Sequence, residues 1–335
     1  MKVLVVNQTE VARLLPMGEC IAAMEEALKG LARGEVLLPL RQVVMLPNNL
    51  GALAAMPAYS ETLKAIGVKV ITVFPGNRGS EFDSHQGAVL LFEARNGSLK
   101  AIADASEVTA IRTAAVSGVA TRLLARPDAS DLAILGSGVQ ARTHLEAMLI
   151  VRPLKRIRVW SPTPDHAEAF AERESKRHGV KIEPMGSARG TVKDADIVCT
   201  VTSSREPVLK GDWLAPGAHV NAVGASVKAA RELDTAAVKK AALFVDRRES
   251  ALNEAGDFLT PKAERVIGDD HIRAEIGELL LDRVPGRTSP SEITLFKSLG
   301  LAVEDLAAVN LIYRKAAKSQ VGLWVELGGG RHETH

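Results

Sequence analysis

Cysteine is scarce in this chain of 335 residues. Cys20 and Cys199 cannot build a disulfide framework or, by themselves, a zinc site. Each sits in an apolar stretch, where a buried reduced thiol is the expected state. Aromatic residues make up 4% of the chain, too few for base-stacking platforms. Neither sign of charge dominates, because 42 Lys and Arg face 40 Asp and Glu for a net of +2. That balance excludes a strong nucleic-acid footprint or a polybasic membrane patch. Long apolar runs are missing as well, and none approaches the ~18 uncharged residues of a membrane helix. Near the amino end only Val3 to Val6 are continuously apolar before Asn7 and Gln8, short of a signal-peptide core. The expected location is therefore cytoplasmic, with no membrane and no nucleic-acid partner. No metal-ligand cluster and no Ser/His/Asp nucleophile set is visible, so no metal is expected.

What is present is an ordinary globular composition, 46% apolar and 24% charged. The length suits roughly two domains at about 150 residues each. In the first third, residues 11–33 read as an amphipathic helix whose main segment begins at Pro16. Extended runs follow at 39–46, 51–58, 67–74 and 88–93, separated by turn signals such as Pro47-Asn48-Asn49 and Pro75-Gly76-Asn77-Arg78-Gly79. Asn96-Gly97 is a hairpin candidate. Helical pattern resumes over 107–126 and stops before Pro127. The middle then alternates strands at 131–135, 156–160, 180–183, 197–201, 219–223 and 242–246 with helices at 138–151 and 166–178. This is the rhythm of a doubly wound parallel sheet. From Thr294 to Trp324 the pattern reads as helical, and the glycine-rich tail from 328 is expected to be disordered.

Leu135-Gly136-Ser137-Gly138-Val139-Gln140-Ala141 follows a strand and opens a helix. It is the alanine-ended form of the dinucleotide fingerprint. Gly136 permits the tight turn, Gly138 lets a pyrophosphate approach the backbone, and Ala141 allows close helix–strand packing. The end of the second strand, Val159-Trp160-Ser161-Pro162-Thr163, carries no acid to repel a 2′-phosphate, while the hydroxyls of Ser161 and Thr163 can bond one. The expected cofactor is NADP(H) or NAD(H), with a lean toward NADP(H).

Two cations stand in apolar places. Lys69 interrupts Gly67-Val68-Lys69-Val70-Ile71-Thr72-Val73-Phe74. Burial would lower its pKa toward proton-transfer use; the alternative is an edge-strand lysine that guards against aggregation. Arg112 lies near the start of a helix among Val108, Ala115, Val116 and Val119, a setting for a bound carboxylate or for a buried pair with Asp104 or Glu107. Arg41 has the same ambiguity. His85 follows a polar loop, where a lone histidine is by default a surface or hydrogen-bonding residue.

At these residues the sequence resembles the ornithine cyclodeaminase/mu-crystallin family, from about Arg41 to Glu326. Beyond the stretches above, the resemblance is carried by Met56-Pro57-Ala58-Tyr59, Ser84-His85-Gln86, Arg112-Thr113-Ala114-Ala115 and His219-Val220-Asn221-Ala222-Val223-Gly224-Ala225-Ser226. Further on, Arg231-Glu232-Leu233-Asp234, Glu254-Ala255-Gly256-Asp257 and Phe296-Lys297-Ser298-Leu299-Gly300 add to it. It implies a Rossmann domain over 127–295 beside an α+β substrate-binding and dimerisation domain over 1–126 and 296–327, in a homodimer. It implies that Arg41 and Arg112 clamp a substrate carboxylate, with His85, Ser226 and Glu254 also lining the substrate. Lys69 becomes the proton donor or acceptor at the reacting nitrogen. The implied cofactor contacts are Thr113, the turn from Gly136 to Gln140, Trp160, Ser161, Thr163, Thr200, Val201, Thr202, Val223 and Gly224. Cyclodeaminases of the family carry an aspartate assigned to acid/base work where this chain has Ser226. A serine is a poor general base at neutral pH, so the resemblance favours reduction of a cyclic ketimine carboxylate, Δ1-pyrroline-2-carboxylate or Δ1-piperideine-2-carboxylate. The alternatives are an ornithine cyclodeaminase, an alanine or other amino-acid dehydrogenase, and a small-molecule binding protein with little turnover.

Overall fold

A period of two governs the first third of the chain. Ala54, Met56, Ala58 and Ser60 are buried while the residues between them are not, as in a sheet with one covered face. A computed structural model describes residues 2–77 and 79–329. It divides the chain into two compact units, Met1–Arg112 with Leu301–His335, and Thr113–Gly300. The first unit holds β1 (Lys2–Val6), β2 (Val36–Leu37), β3 (Gln42–Met45), β4 (Ala52–Ser60), β5 (Ala65–Val73), β6 (His85–Glu93) and β7 (Leu99–Asp104). Strands β4 to β7 pair antiparallel in sequence, and β1 joins β7 in parallel. Gly97, at a φ of 71°, turns the chain between β6 and β7.

Two helices precede the long strands, α1 (Gln8–Leu14) and α2 (Met17–Ala32). Pro16 caps the second, where its missing N–H is not needed. After β7 comes α3 (Ala105–Leu124). The division between the units falls inside this continuous helix, not at Pro127 where the sequence suggests it. The first unit is completed from the far end of the chain. A helix over Ala302–Ser319 packs on β4, β5, β6 and α2. Its approach to the sheet is close, since a Cβ at Gly67 would lie 2.9 Å from Leu306 Cδ1.

The second unit is an eight-stranded parallel sheet. Its strands are β8 (Asp131–Leu135), β9 (Arg156–Trp160), β10 (Glu183–Pro184), β11 (Ile197–Thr200), β12 (His219–Ala222), β13 (Ala242–Val245), β14 (Ile272–Glu275) and β15 (Thr294–Lys297). They run in the order β10-β9-β8-β11-β12-β15-β13-β14. The chain builds outward from β8 to β10, then returns to place β11 on the other side of β8. The crevice at the carboxyl ends of β8 and β11 is the topological switch point, where such sheets bind ligands. Helices α4 (Val139–Val151) and α5 (Pro164–His178) follow β8 and β9.

Three expectations are corrected. Residues 294–297 form β15, not a helix; Thr-Leu-Phe-Lys is a short, fully buried run with no period to separate strand from helix. The carboxyl-terminal helix ends at Ser319, where Gln320 adopts a left-handed conformation, and Trp324 lies in β16 (Leu323–Glu326), paired with β1. The strand expected over 180–183 is reduced to β10. The tail from residue 330 lies outside the described residues. No helix among the described residues is long and apolar enough to cross a membrane.

Candidate active site

In the first unit, Lys69 sits at the middle of β5, hydrogen-bonded into the sheet between Met56 of β4 and Val89 of β6. It is therefore no edge-strand guard. Alternation turns it to the covered face with Ala65 and Gly67, and it is 2% exposed. Its Nζ lies 2.8 Å from Asp305 Oδ2 and donates to Thr109 Oγ1 at 3.4 Å. Burial is the main force that pulls the Lys69 pKa down to about 8, and the Arg112 charge adds to it. Asp305 opposes both, while Arg41, half-buried just before β3, adds a further downward push.

Arg112, on the buried side of α3, is not paired with Asp104 or Glu107. Its Nε donates to Asp305 Oδ1 at 2.9 Å and its Nη1 to Glu304 Oε2 at 2.7 Å. Neither bond uses Nη2. Asp104 instead accepts from the Glu107 backbone N–H. His85, at the exposed start of β6, bonds Ser84 Oγ through Nδ1. Partial desolvation, followed by the Lys69 charge, lowers its imidazole pKa. The first unit thus gathers Lys69, Arg112, Arg41 and His85 in one electrostatic neighbourhood.

Glu304 and Asp305 were missed by sequence reasoning. Both lie in the first turn of the carboxyl-terminal helix, where acids suit the helix dipole, and so they read as routine. The available signal was their setting, Leu301-Ala302-Val303-Glu304-Asp305-Leu306-Ala307, two acids with apolar neighbours on both sides. Both are 0–1% exposed.

In the second unit the glycine-rich turn joins β8 to α4 at the switch point. Gly136 has a φ of +119°, and a Cβ there would meet Val201 O at 2.8 Å. Gly138 differs, for a Cβ on it would meet nothing within 4 Å. It is the N-cap of α4 and supplies no side-chain cap, so the first N–H groups of a 13-residue helix face an open cradle. Ala141 is fully buried. An open backbone at a helix N-terminus, against a tight glycine turn, fits the pyrophosphate of a dinucleotide. At the end of β9, Trp160 is partly buried, Ser161 buried and Thr163 exposed.

The segments after β11 and β12 are tied together by Glu232. Its carboxylate accepts from Thr200 Oγ1 at 2.9 Å, Thr202 N and Thr202 Oγ1 each at 2.6 Å, and Gly224 N at 2.7 Å. Asp257 Oδ1 accepts from the backbone of Glu232 and Leu233, and Lys297 Nζ lies 3.0 Å from Asp257 Oδ2. The Thr200 and Thr202 hydroxyls therefore serve the carboxylate, and Val201 and Val223 are buried beside them. Ser226 follows in the loop after Gly224, half-buried, and Glu254 ends a helix over Arg248–Glu254. Both belong to the second unit, as does Thr113. Glu232, Asp257 and Lys297 were seen as parts of motifs but not as a network.

The sequence profile of the ornithine cyclodeaminase/mu-crystallin family matches residues 1–320. The chain belongs to this family. It is 42% identical over 296 residues to ketimine reductase mu-crystallin of Mus musculus, covering 88% of this chain and 90% of that protein. It is 35% identical over 324 residues to Delta(1)-pyrroline-2-carboxylate reductase of Bacillus cereus, covering 96% of this chain and 99% of the relative. Among solved structures, Delta(1)-pyrroline-2-carboxylate reductase of Thermococcus litoralis, in complex with NADH and L-proline, superposes with a TM-score of 0.93. The two are 40% identical, over 96% of this chain and 99% of that one.

Proposed function

We propose that this chain is an NAD(P)H-dependent reductase of cyclic ketimine carboxylates, converting Δ1-pyrroline-2-carboxylate or Δ1-piperideine-2-carboxylate to proline or pipecolate. One observation carries the reading: a buried lysine with a pKa near 8 sits against a buried arginine whose Nη2 neither acid takes. A proton donor and a carboxylate anchor side by side are what a planar imine acid requires. The family's named reductases of such imines, alike over almost the whole chain, support the same reading.

In this mechanism Arg112 Nη2 and Arg41 bind the substrate carboxylate and fix the plane of the imine, an orientation effect worth several kcal/mol. Lys69 gives its Nζ proton to the imine nitrogen; that N–H bond breaks as the new one forms, and the carbon becomes more electrophilic. NAD(P)H would be held at the glycine-rich turn, and the chemistry it would supply is a hydride. The lysine, now neutral, is reprotonated from solvent. His85, in the same unit as Lys69 and Arg112, adds to the substrate contacts in this reading. Ser226 in place of an acid disfavours cyclodeamination.

A homodimer is part of the proposal. Val43, Val44 and Met45 on β3 and Leu53 on β4 are exposed apolar residues on one edge of the first sheet, as expected of a covered surface. Action in the cytoplasm is consistent with two free, buried cysteines. The test is NADH and NADPH oxidation with a panel of cyclic imines, and ornithine and alanine with the oxidised cofactors. Imine reduction is expected. Rapid release of ammonia from ornithine without imine reduction would overturn it.

A further inference from the structure

The charge on Lys69 has a manager at the other end of the chain. A buried ammonium next to a guanidinium is driven toward its neutral form unless an anion faces it. Asp305 is that anion, and its two oxygens are divided. Oδ2 lies 2.8 Å from Lys69 Nζ, and Oδ1 accepts from Arg112 Nε at 2.9 Å. Glu304, its neighbour, takes Arg112 Nη1 at 2.7 Å. Two consecutive acids of one helix therefore hold the same guanidinium, one at Nε and one at Nη1, and Asp305 also reaches the lysine.

We propose that Asp305 is the positioning residue of the active-site lysine, holding the Lys69 ammonium and the Arg112 guanidinium in one fixed arrangement so that proton donor and carboxylate anchor face the substrate together. The proposal rests on the ketimine-reductase reading for its use of the proton, but not for the geometry. Asp305 does not touch substrate; it acts through Lys69 and Arg112. A mere staple between helix and sheet would serve stability alone. The shared carboxylate does more, because it keeps the lysine charged near neutral pH and aims its Nζ.

The other groups that face Lys69 do not substitute for Asp305. From α3 come Arg112 and the Thr109 hydroxyl; from β6 comes His85, which feels the lysine charge; Arg41 precedes β3. From α2, Cys20 lies in the field of Arg112 and Glu304, and burial pushes its thiol up, out of reach of ionisation. Arg112 and Arg41 push the Lys69 pKa down, and Asp305 is the carboxylate that holds it up.

The experiment uses the full chain labelled with 13Cε-lysine, with the Lys69 resonance assigned by its loss in Lys69→Met. The wild-type titration midpoint is expected near 8. In Asp305→Asn it is expected to fall by about one pH unit, a tenfold change in the ratio of charged to neutral lysine. The alkaline limb of the imine-reduction profile should move with it. Asp305→Glu keeps the charge but displaces the carboxylate, so it should hold the midpoint within about half a unit while kcat drops at least tenfold. An unmoved midpoint in Asp305→Asn, with only a lower melting temperature, overturns the proposal and leaves a staple. If Asp305→Asn does not fold, Asp305→Glu decides, since wild-type kcat there is equally fatal. A wild type that reduces none of the imines sinks the functional reading alone, and the lysine midpoints still judge Asp305.

Discussion

Lys69 Nζ and Asp305 Oδ2 meet at 2.8 Å from opposite ends of the sequence, both almost fully buried. The contact joins a strand in the first quarter of the chain to a helix in the last tenth. It makes the lysine a charged group that can still lose its proton near neutral pH, and several expectations follow from that state.

The imine-reduction rate should fall as pH rises through about 8, the value to which burial and the Arg112 charge bring Lys69. The donor must be protonated, so reduction is favoured below that point, and oxidation of the cyclic amino acid, which needs the neutral amine, should rise through the same range. Lys69→Met should lose about 10²- to 10⁴-fold in kcat while its NADH affinity stays near wild type, and its melting temperature should fall because Asp305 loses one of its two buried counter-ions. Steady-state kinetics from pH 6 to 10 on both proteins checks it, and a flat profile would contradict the assignment.

Arg112→Ala and Arg112→Lys should separate stability from binding. The alanine variant takes from Glu304 and Asp305 the counter-ion they share, and removing one partner from a buried pair costs about 3–5 kcal/mol. It is expected to melt far below wild type. The lysine variant keeps the charge but not the fork. Its KM for the imine should rise with a loss of roughly 1.5–3 kcal/mol, and its kcat should change less. Denaturant melts and kinetics on the two variants provide the comparison; equal stability of all three proteins would show that the acids do not depend on Arg112.

Two neighbouring glycines should respond differently to the same methyl group. Gly138→Ala has room for its Cβ and a backbone any residue adopts, so the fold should be unchanged. The methyl would stand where a pyrophosphate approaches, and NAD(P)H affinity should drop at least tenfold. Gly136→Ala is strained by a φ of +119° and by Val201 O at 2.8 Å, so it should lose stability as well. Cofactor fluorescence titrations beside thermal melts read both effects. Unaltered affinity in Gly138→Ala would place the dinucleotide elsewhere.

NADPH should bind at least as tightly as NADH, because residues 159–163 at the end of β9 carry no acid and Thr163 stands exposed there. A tenfold preference for NADH, about 1.4 kcal/mol, measured by the same titration, would count against this.

Much of the second unit was legible because its strands and helices alternate cleanly. β8 and β9 fall at the residues the pattern marks, 131–135 and 156–160. β15 was not, because four buried residues hold no period. In the site, Lys69 and Arg112 announce themselves as cations in apolar surroundings. Their partners do not, since Glu304 and Asp305 open an amphipathic helix where acids are commonplace, and sequence distance hides which cations they serve. Glu232 was hidden for a related reason: a carboxylate that collects four hydrogen bonds from two segments looks, in one dimension, like any surface acid.

The order of synthesis gives the split first unit a further meaning. The second unit is one continuous stretch, Thr113–Gly300, whereas the first waits for Leu301 and beyond. On the ribosome, the parallel sheet can be complete while Lys69 and Arg112 still lack their acids, because domains tend to fold as units as they emerge. A nascent or prematurely terminated chain would then carry a dinucleotide fold and two unneutralised cations in an unfinished core. In the proposed mechanism, Lys69 would gain its counter-ion only once the helix over Ala302–Ser319 has been made, so catalysis would wait on a segment far along the chain.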